Sequence, residues 1–248
     1  MTFREAMKGL EAAGTAQNRK IYARHGVSGA MFGVSYAALG KLGKKIGTDH
    51  ALAGKLWASG NHDARVLATM IADAEAVTSA QLDAWARDLD SYVVSDAFAV
   101  LVAQSPHAPA KARKWTKSAG EWTGQVGWGL VSRLTRSGDI SRAEAERFLK
   151  TIETRIHRAK NRVRYSMNGA LISIGLLGGP LFEKATAAAR RIGKVEVDHG
   201  ETGCKTPDAV SYLAKNKARA KAPAKAKRPA KAKRPAKAKA GKATQSRR

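Results

Sequence analysis

The chain has 248 residues, 44% of them hydrophobic, enough for a packed core in one large domain or two small ones. Cys204 is the only cysteine, which excludes an intrachain disulfide, and no charge-free apolar stretch reaches the length of a transmembrane helix. The net charge of +25 points to a polyanionic partner, nucleic acid ahead of an anionic membrane surface.

The N-terminal MTFREAMKGLEAAG alternates charged and apolar residues and has no h-region, so the sequence predicts no secretory signal and a cytoplasmic protein. Leu39, Leu42 and Ile46 recur at helical spacing, and Gly47 ends that helix. DHALAGKLWASG runs from an Asp49 cap to Gly60. NHDARVLATMIADA begins at Asn61 and is expected to bury Val66, Leu67, Met70 and Ile71. TSAQLDAWARDL has Thr78 or Ser79 as cap, with Leu82, Trp85 and Leu89 on one face. SYVVSDAFAVLV, residues 91–102, reads as a helix that buries most of its surface, yet Asp96 lies in its middle. A buried carboxylate is costly unless paired or hydrogen-bonded. Asp96 therefore either braces a neighbouring helix or stabilises a positive charge that develops in a reaction.

APAKARKWTKS follows as a basic helix carrying Lys111, Arg113, Lys114 and Lys117. Then come EWTGQVGWGLVSRL, with Trp122 and Trp128, and SRAEAERFLKTIETRIHRA, NRVRYSMNGALISIG and PLFEKATAAARRIG, the last opened by Pro180. No window alternates with period two, so no strands are predicted. Helices joined by short polar turns predict an all-α fold. The expected architecture is a curved α-solenoid of HEAT-like antiparallel helix pairs over residues 1–214, whose concave face binds something extended.

RIHRAKNRVRY concentrates Arg155, Arg158, Lys160, Arg162 and Arg164 at one helix corner. With the second basic helix, Lys114 and Lys117 included, it is expected to contact phosphates. VDHGETGCKTPDA, residues 197–209, gathers His199, Glu201 and Cys204 in a glycine-containing loop. Its spacing matches no metal motif, so a structural loop is favoured over a metal site, and no cofactor is implied. From Lys215 onward there are 15 Lys/Arg and no Asp/Glu, leaving a net +10 before that point. PAKAKR repeats at 223–228 and 229–234, and the recurring proline breaks helices. Residues 215–248 are expected to be a disordered basic tail. It serves either as a solubilising extension or as a non-specific nucleic-acid tether similar to histone H1-like tails.

IGTDHALAGKLWASGNHDARVLATMIAD, VTSAQLDAWARDLDSYVVSDAF and NRVRYSMNGALISIG together resemble the bacterial DNA alkylation repair family, the HEAT-like-repeat alkylpurine DNA glycosylases. The resemblance runs collinearly from about residue 30 to residue 212. It implies a basic concavity that cradles duplex DNA, alkylated DNA included, and hydrolysis of the N-glycosidic bond of cationic alkylated purines; a DNA-binding protein of this kind is expected to be nucleoid-associated. It assigns Asp96 as the carboxylate that stabilises an oxocarbenium-like sugar. Tyr92, one turn earlier on the same face, becomes its aromatic neighbour. The family's catalytic arginine is replaced by Gln125, and its tryptophan by Gly169. Arg164, Trp122 or Trp128 are the candidates to compensate at the DNA face. Two functions stay open, a glycosylase and a non-catalytic DNA-binding module. A third is a protein-binding solenoid with an RNA-binding tail. An Asp96 open to a basic concavity beside Tyr92 favours the first, and an Asp96 sealed in an ion pair favours the second.

Overall fold

The structure, a computed structural model, describes residues 1–217. The described chain is helical throughout: α1 (Phe3–Ala13), α2 (Ala16–Arg24), α3 (Tyr36–Ile46), α4 (His50–Ala58), α5 (His62–Ile71), α6 (Ser79–Arg87), α7 (Tyr92–Gln104), α8 (Ala108–Trp115), α9 (Glu121–Ser137), α10 (Arg142–Arg155), α11 (Asn161–Gly175), α12 (Pro180–Ile192) and α13 (Ala209–Lys215). A single 3-10 turn, Ile156–Arg158, joins α10 to α11.

The helix ends follow local chemistry. Asp49, Asn61 and Thr78 accept hydrogen bonds from backbone N–H groups in the first turns of α4, α5 and α6, as their side chains predict. Pro180 opens α12, and Gly47 ends α3 with φ +74°. α1, α2 and α13 lie outside the helices predicted from the sequence. α1 and α2 are short and strongly charged, and bury only Ala6, Leu10 and Tyr22.

α3, α5, α7, α9 and α11 stack side by side as one layer. α4, α8 and α12 pack behind α5, α9 and α11, giving the expected HEAT-like pairs. An aromatic row fills the seam between layers. Trp57 of α4 stacks on Trp85 of α6 at 4.5 Å, and Phe98 of α7 lies 5.5 Å from Trp57 and 5.8 Å from Trp115 of α8. The indole N–H groups of Trp57 and Trp115 donate to Asp88 and Asp83, so burial leaves neither unsatisfied. Gly127 lets α9 press on the end of α8. A Cβ there would stand 2.5 Å from both the Thr116 nitrogen and the Trp115 carbonyl carbon.

The segment between α2 and α3 has no regular structure of its own and is held by Asp63. This fully buried carboxylate accepts backbone N–H bonds from Phe32, Gly33 and Val34 at 2.6, 3.0 and 2.8 Å. Gly33 takes φ +79°, a conformation open to glycine but costly for other residues.

One expectation needs correction. Met70 is 39% exposed, because α5 turns that side of its surface outward. Leu213 is fully buried, α13 reaches Lys215, and the Lys217 ammonium lies 5.8 Å above the Phe182 ring. The rest of the expected tail lies outside the described residues. No helix among the described residues is long and apolar enough to cross a membrane.

Candidate functional site

α7 turns most of its residues inward: Val94, Ser95, Ala97 and Phe98 are buried. Asp96 points the other way and is exposed, so the helix that buries most of its surface leaves its carboxylate open. Asp96 forms no ion pair among the described residues. Instead, the Gln125 amide of α9 donates to its Oδ1 at 2.9 Å and to the Tyr92 carbonyl at 3.3 Å. A carboxylate only accepts, so it fixes which end of the amide faces it. Gln125 is itself 3% exposed, and its Oε1 is buried without a hydrogen-bond partner.

Asp96 is reached by solvent yet has protein on most sides, as the floor of a recess does. This partial burial pushes its carboxyl above the usual range, opposed by the Gln125 hydrogen bond and by the charges of Arg133 and Arg162. Tyr36 of α3 shows the same combination. It is 46% exposed, yet burial first, then Tyr22, Asp96 and Tyr92, push its phenol up to about 12. Tyr165 of α11 is also raised, by burial and then by Asp96. Tyr165 therefore borders the hollow beside the carboxylate, Tyr92 precedes it by one turn of α7, and Tyr36 lies within its electrostatic reach.

The Arg162 guanidinium stacks on Tyr92, 3.8 Å from the ring centroid. The Glu121 carboxylate accepts from the Arg162 backbone N–H at 2.7 Å, tying the start of α11 to the start of α9. His25 Nδ1 meets the Tyr92 hydroxyl from the end of α2. Beside Asp96 lies a hollow of about 190 Å³, bounded also by Gly129, Ser132, Arg133, Tyr165 and Gly169. A Cβ at Gly169 would meet only Ser132 Oγ, at 3.9 Å, so the space that the resemblance fills with a tryptophan is empty here.

The loop after α12 edges the recess. Asn161 bonds both backbone groups of Asp198, the Asn168 amide donates to the Pro207 carbonyl, and Pro207 borders the Asp96 hollow. His199 hydrogen-bonds Thr206 and sets its ring edge-on to Tyr165. The described residues hold no group of three His, Cys, Asp or Glu side chains suited to a metal ion. His199 is half-buried beside Tyr165, and Glu201 and Cys204 are not buried.

The other expected residues separate. Trp128 is 1% exposed and packs edge-on to Phe148 at 5.7 Å, so it offers no surface to DNA, and Trp122 packs partly buried against the core. Lys111 and Lys114 both pair with Asp83, and Arg113 pairs with Glu144, so much of the α8 charge is neutralised internally. The basic cluster is split. Arg162 joins the recess, whereas Arg155, Arg158 and Lys160 gather with Lys117 around a separate hollow. Arg164 is half-buried, on the flank of α11 that also carries Asn168. Sequence reading missed Tyr36, Arg133 and Tyr165, which only the stacking of α3, α9 and α11 brings to Asp96.

Known proteins are similar to this chain in sequence and in fold. The sequence profile of the DNA alkylation repair enzyme family matches residues 6–192. Two uncharacterised proteins, Lin0241 of Listeria innocua and Lmo0209 of Listeria monocytogenes, are each 32% identical to the chain. They cover 88% and 89% of it and 99% and 100% of their own lengths. A solved structure from a family related to the HEAT-like repeat DNA glycosylases, with affinity for branched DNA structures, superposes with a TM-score of 0.81. It is 31% identical, over 88% of this chain and 95% of its own. The chain, matched over most of its length, belongs to the DNA alkylation repair enzyme family.

Proposed function

We propose that this chain binds DNA at the Asp96 recess and favours branched over linear DNA, without excising alkylated bases. The observation that carries the reading is the Arg162 guanidinium stacked on Tyr92 beside Asp96. A guanidinium held flat on a ring is pre-organised for bidentate phosphate contact. It also occupies the aromatic face that a cationic purine would use. Arg162 and Arg133 together repel such a base, and Gln125 supplies no charge where the family's arginine would stand. The affinity of the similar solved structure for branched DNA supports the choice of ligand. Arg162→Ala should weaken binding equally on two unrelated duplexes, since phosphate contacts carry no base information. A fluorescence titration showing loss on one duplex alone would mean base readout instead.

A second reading, base excision, is favoured by the openness of Asp96 and its lack of an ion pair among the described residues. Asp96→Asn separates the two. If Asp96 stabilises an oxocarbenium ion, single-turnover release of methylated bases from alkylated duplex falls by on the order of 10²–10³. On our reading the wild-type chain releases none. Release that depends on Asp96 would overturn it. Stability supplies a second readout. The raised carboxyl pKa means that the folded state holds the proton more tightly than the unfolded one. Its contribution is full at acid pH and is lost as pH rises through the raised value. Asp96→Asn should therefore raise the melting midpoint at pH 7, with the gain fading toward pH values below the ordinary carboxylate range. A lower midpoint at pH 7 would make Asp96 a structural brace.

A further inference from the structure

α9 and α11 each present a second flank away from Asp96. Trp128 of α9 and Val163 and Met167 of α11 floor a hollow of about 440 Å³, bordered by Lys117, Arg155, Arg158 and Lys160. A neighbouring hollow of about 390 Å³ shares Lys117, Trp128 and Arg155 with it and adds Arg147, so the two form one groove. Lys117, Arg147, Arg155, Arg158 and Lys160 form no ion pair among the described residues. The only carboxylate bordering the groove among the described residues, Glu144, is taken up by Arg113, whose Nε lies 2.7 Å from Glu144 Oε1. Where α8 packs on α6, Asp83 neutralises Lys111 and Lys114, whereas the groove leaves five cations uncompensated. Like charges around one hollow repel until a polyanion enters.

We propose that this groove is a second DNA-backbone site, which holds one arm of a branched DNA while the recess holds another. The proposal rests on the reading that the chain binds branched DNA. Arg162 and Tyr165 face the recess, whereas Val163 and Met167 of the same helix face the groove. A straight duplex laid in the recess leaves the groove empty, and a junction turns its next arm into it. The second contact is then intramolecular, and its effective concentration converts weak phosphate contacts into a preference for junctions. The apolar floor adds little, because Trp128 and Met167 are almost fully buried. The site therefore reads charge and shape rather than bases.

The test uses the full chain carrying Arg155→Glu with Arg158→Glu, beside the milder pair Arg155→Gln with Arg158→Gln. Both arginines are exposed, so a melting curve should show the fold unchanged. Anisotropy titrations at one fixed salt concentration compare a three-way junction with a linear duplex of equal length. We expect the charge-reversed chain to lose roughly 10²-fold on the junction and to keep its affinity for the linear duplex. The glutamine pair should show a smaller loss of the same kind. Unchanged junction affinity would overturn the groove as a DNA site. Equal losses on both ligands would make the groove part of a single duplex footprint and overturn the two-arm arrangement. A wild-type chain that binds both ligands alike would remove the branched-DNA reading itself, and the two-arm arrangement with it. That result appears before any substitution is made.

Discussion

Replacing Asp63 with alanine should cost the fold about 3–5 kcal/mol, the largest loss we expect from any single substitution. The carboxylate is fully buried and accepts three backbone N–H bonds from Phe32, Gly33 and Val34. Its removal strands three donors, each worth roughly 1–3 kcal/mol when left buried and unsatisfied. Water that enters the vacated space offsets part of that sum. The damage should also spread, because the same turn is held by the Thr15 N–H on the Gly33 carbonyl and the Tyr22 hydroxyl on the Val34 carbonyl, at 3.0 and 2.6 Å. α1 also packs directly on α3, α4 and α5, so the loss should fall first on α2 and the turn, where proteolysis should accelerate with the fall in stability. Urea unfolding measures the effect. A loss under about 1 kcal/mol would mean that the turn holds itself. Asp63→Asn should fall between the two, since its amide oxygen still accepts but without charge.

Truncation after Lys217 should have the largest effect on binding. Residues 218–248 carry 13 Lys/Arg and no acidic residue, about half of the chain's net charge of +25. Each phosphate that such a segment neutralises adds about 0.9 to the slope of log affinity against log salt. If even six to ten of these cations engage DNA, affinity changes on the order of 10³–10⁵-fold between 50 and 200 mM salt for the full chain. The truncated chain should bind more weakly at low salt and with a clearly shallower slope. Its melting midpoint should hold, because the cut leaves the buried Leu213 and the Lys217 contact with Phe182 in place. Dissociation constants for both forms across a salt series decide the matter. Identical slopes would leave the segment as a solubilising extension and place all DNA contacts in the helical body.

Much of the architecture is determined by the sequence alone, because helix formation and termination are local. Asp49, Asn61 and Thr78 cap from the positions where their side chains predict it, and Leu82, Trp85 and Leu89 bury the face that their spacing marks. The pairing of Tyr92 with Asp96 was legible for the same reason, since four residues make one helical turn. What each face meets was decided only by tertiary packing. Nothing near Asp96 in the chain shows that it opens into a recess, because that depends on which sides of α7 are covered by α5 and α9. Trp128 reads as readily for a binding surface as for a core, and Phe148 settles it. Lys114 and Lys117 look alike in sequence, but Asp83, 31 residues upstream, neutralises the first and leaves the second free at the groove. RIHRAKNRVRY looks like one basic patch, yet the turn into α11 sends Arg162 to Tyr92 and leaves Arg155 and Arg158 on another flank. Helical periodicity fixes the angle between residues on one helix. The register between helices comes from close contacts such as Gly127 against α8, and that register determines which charges meet a partner and which stay free.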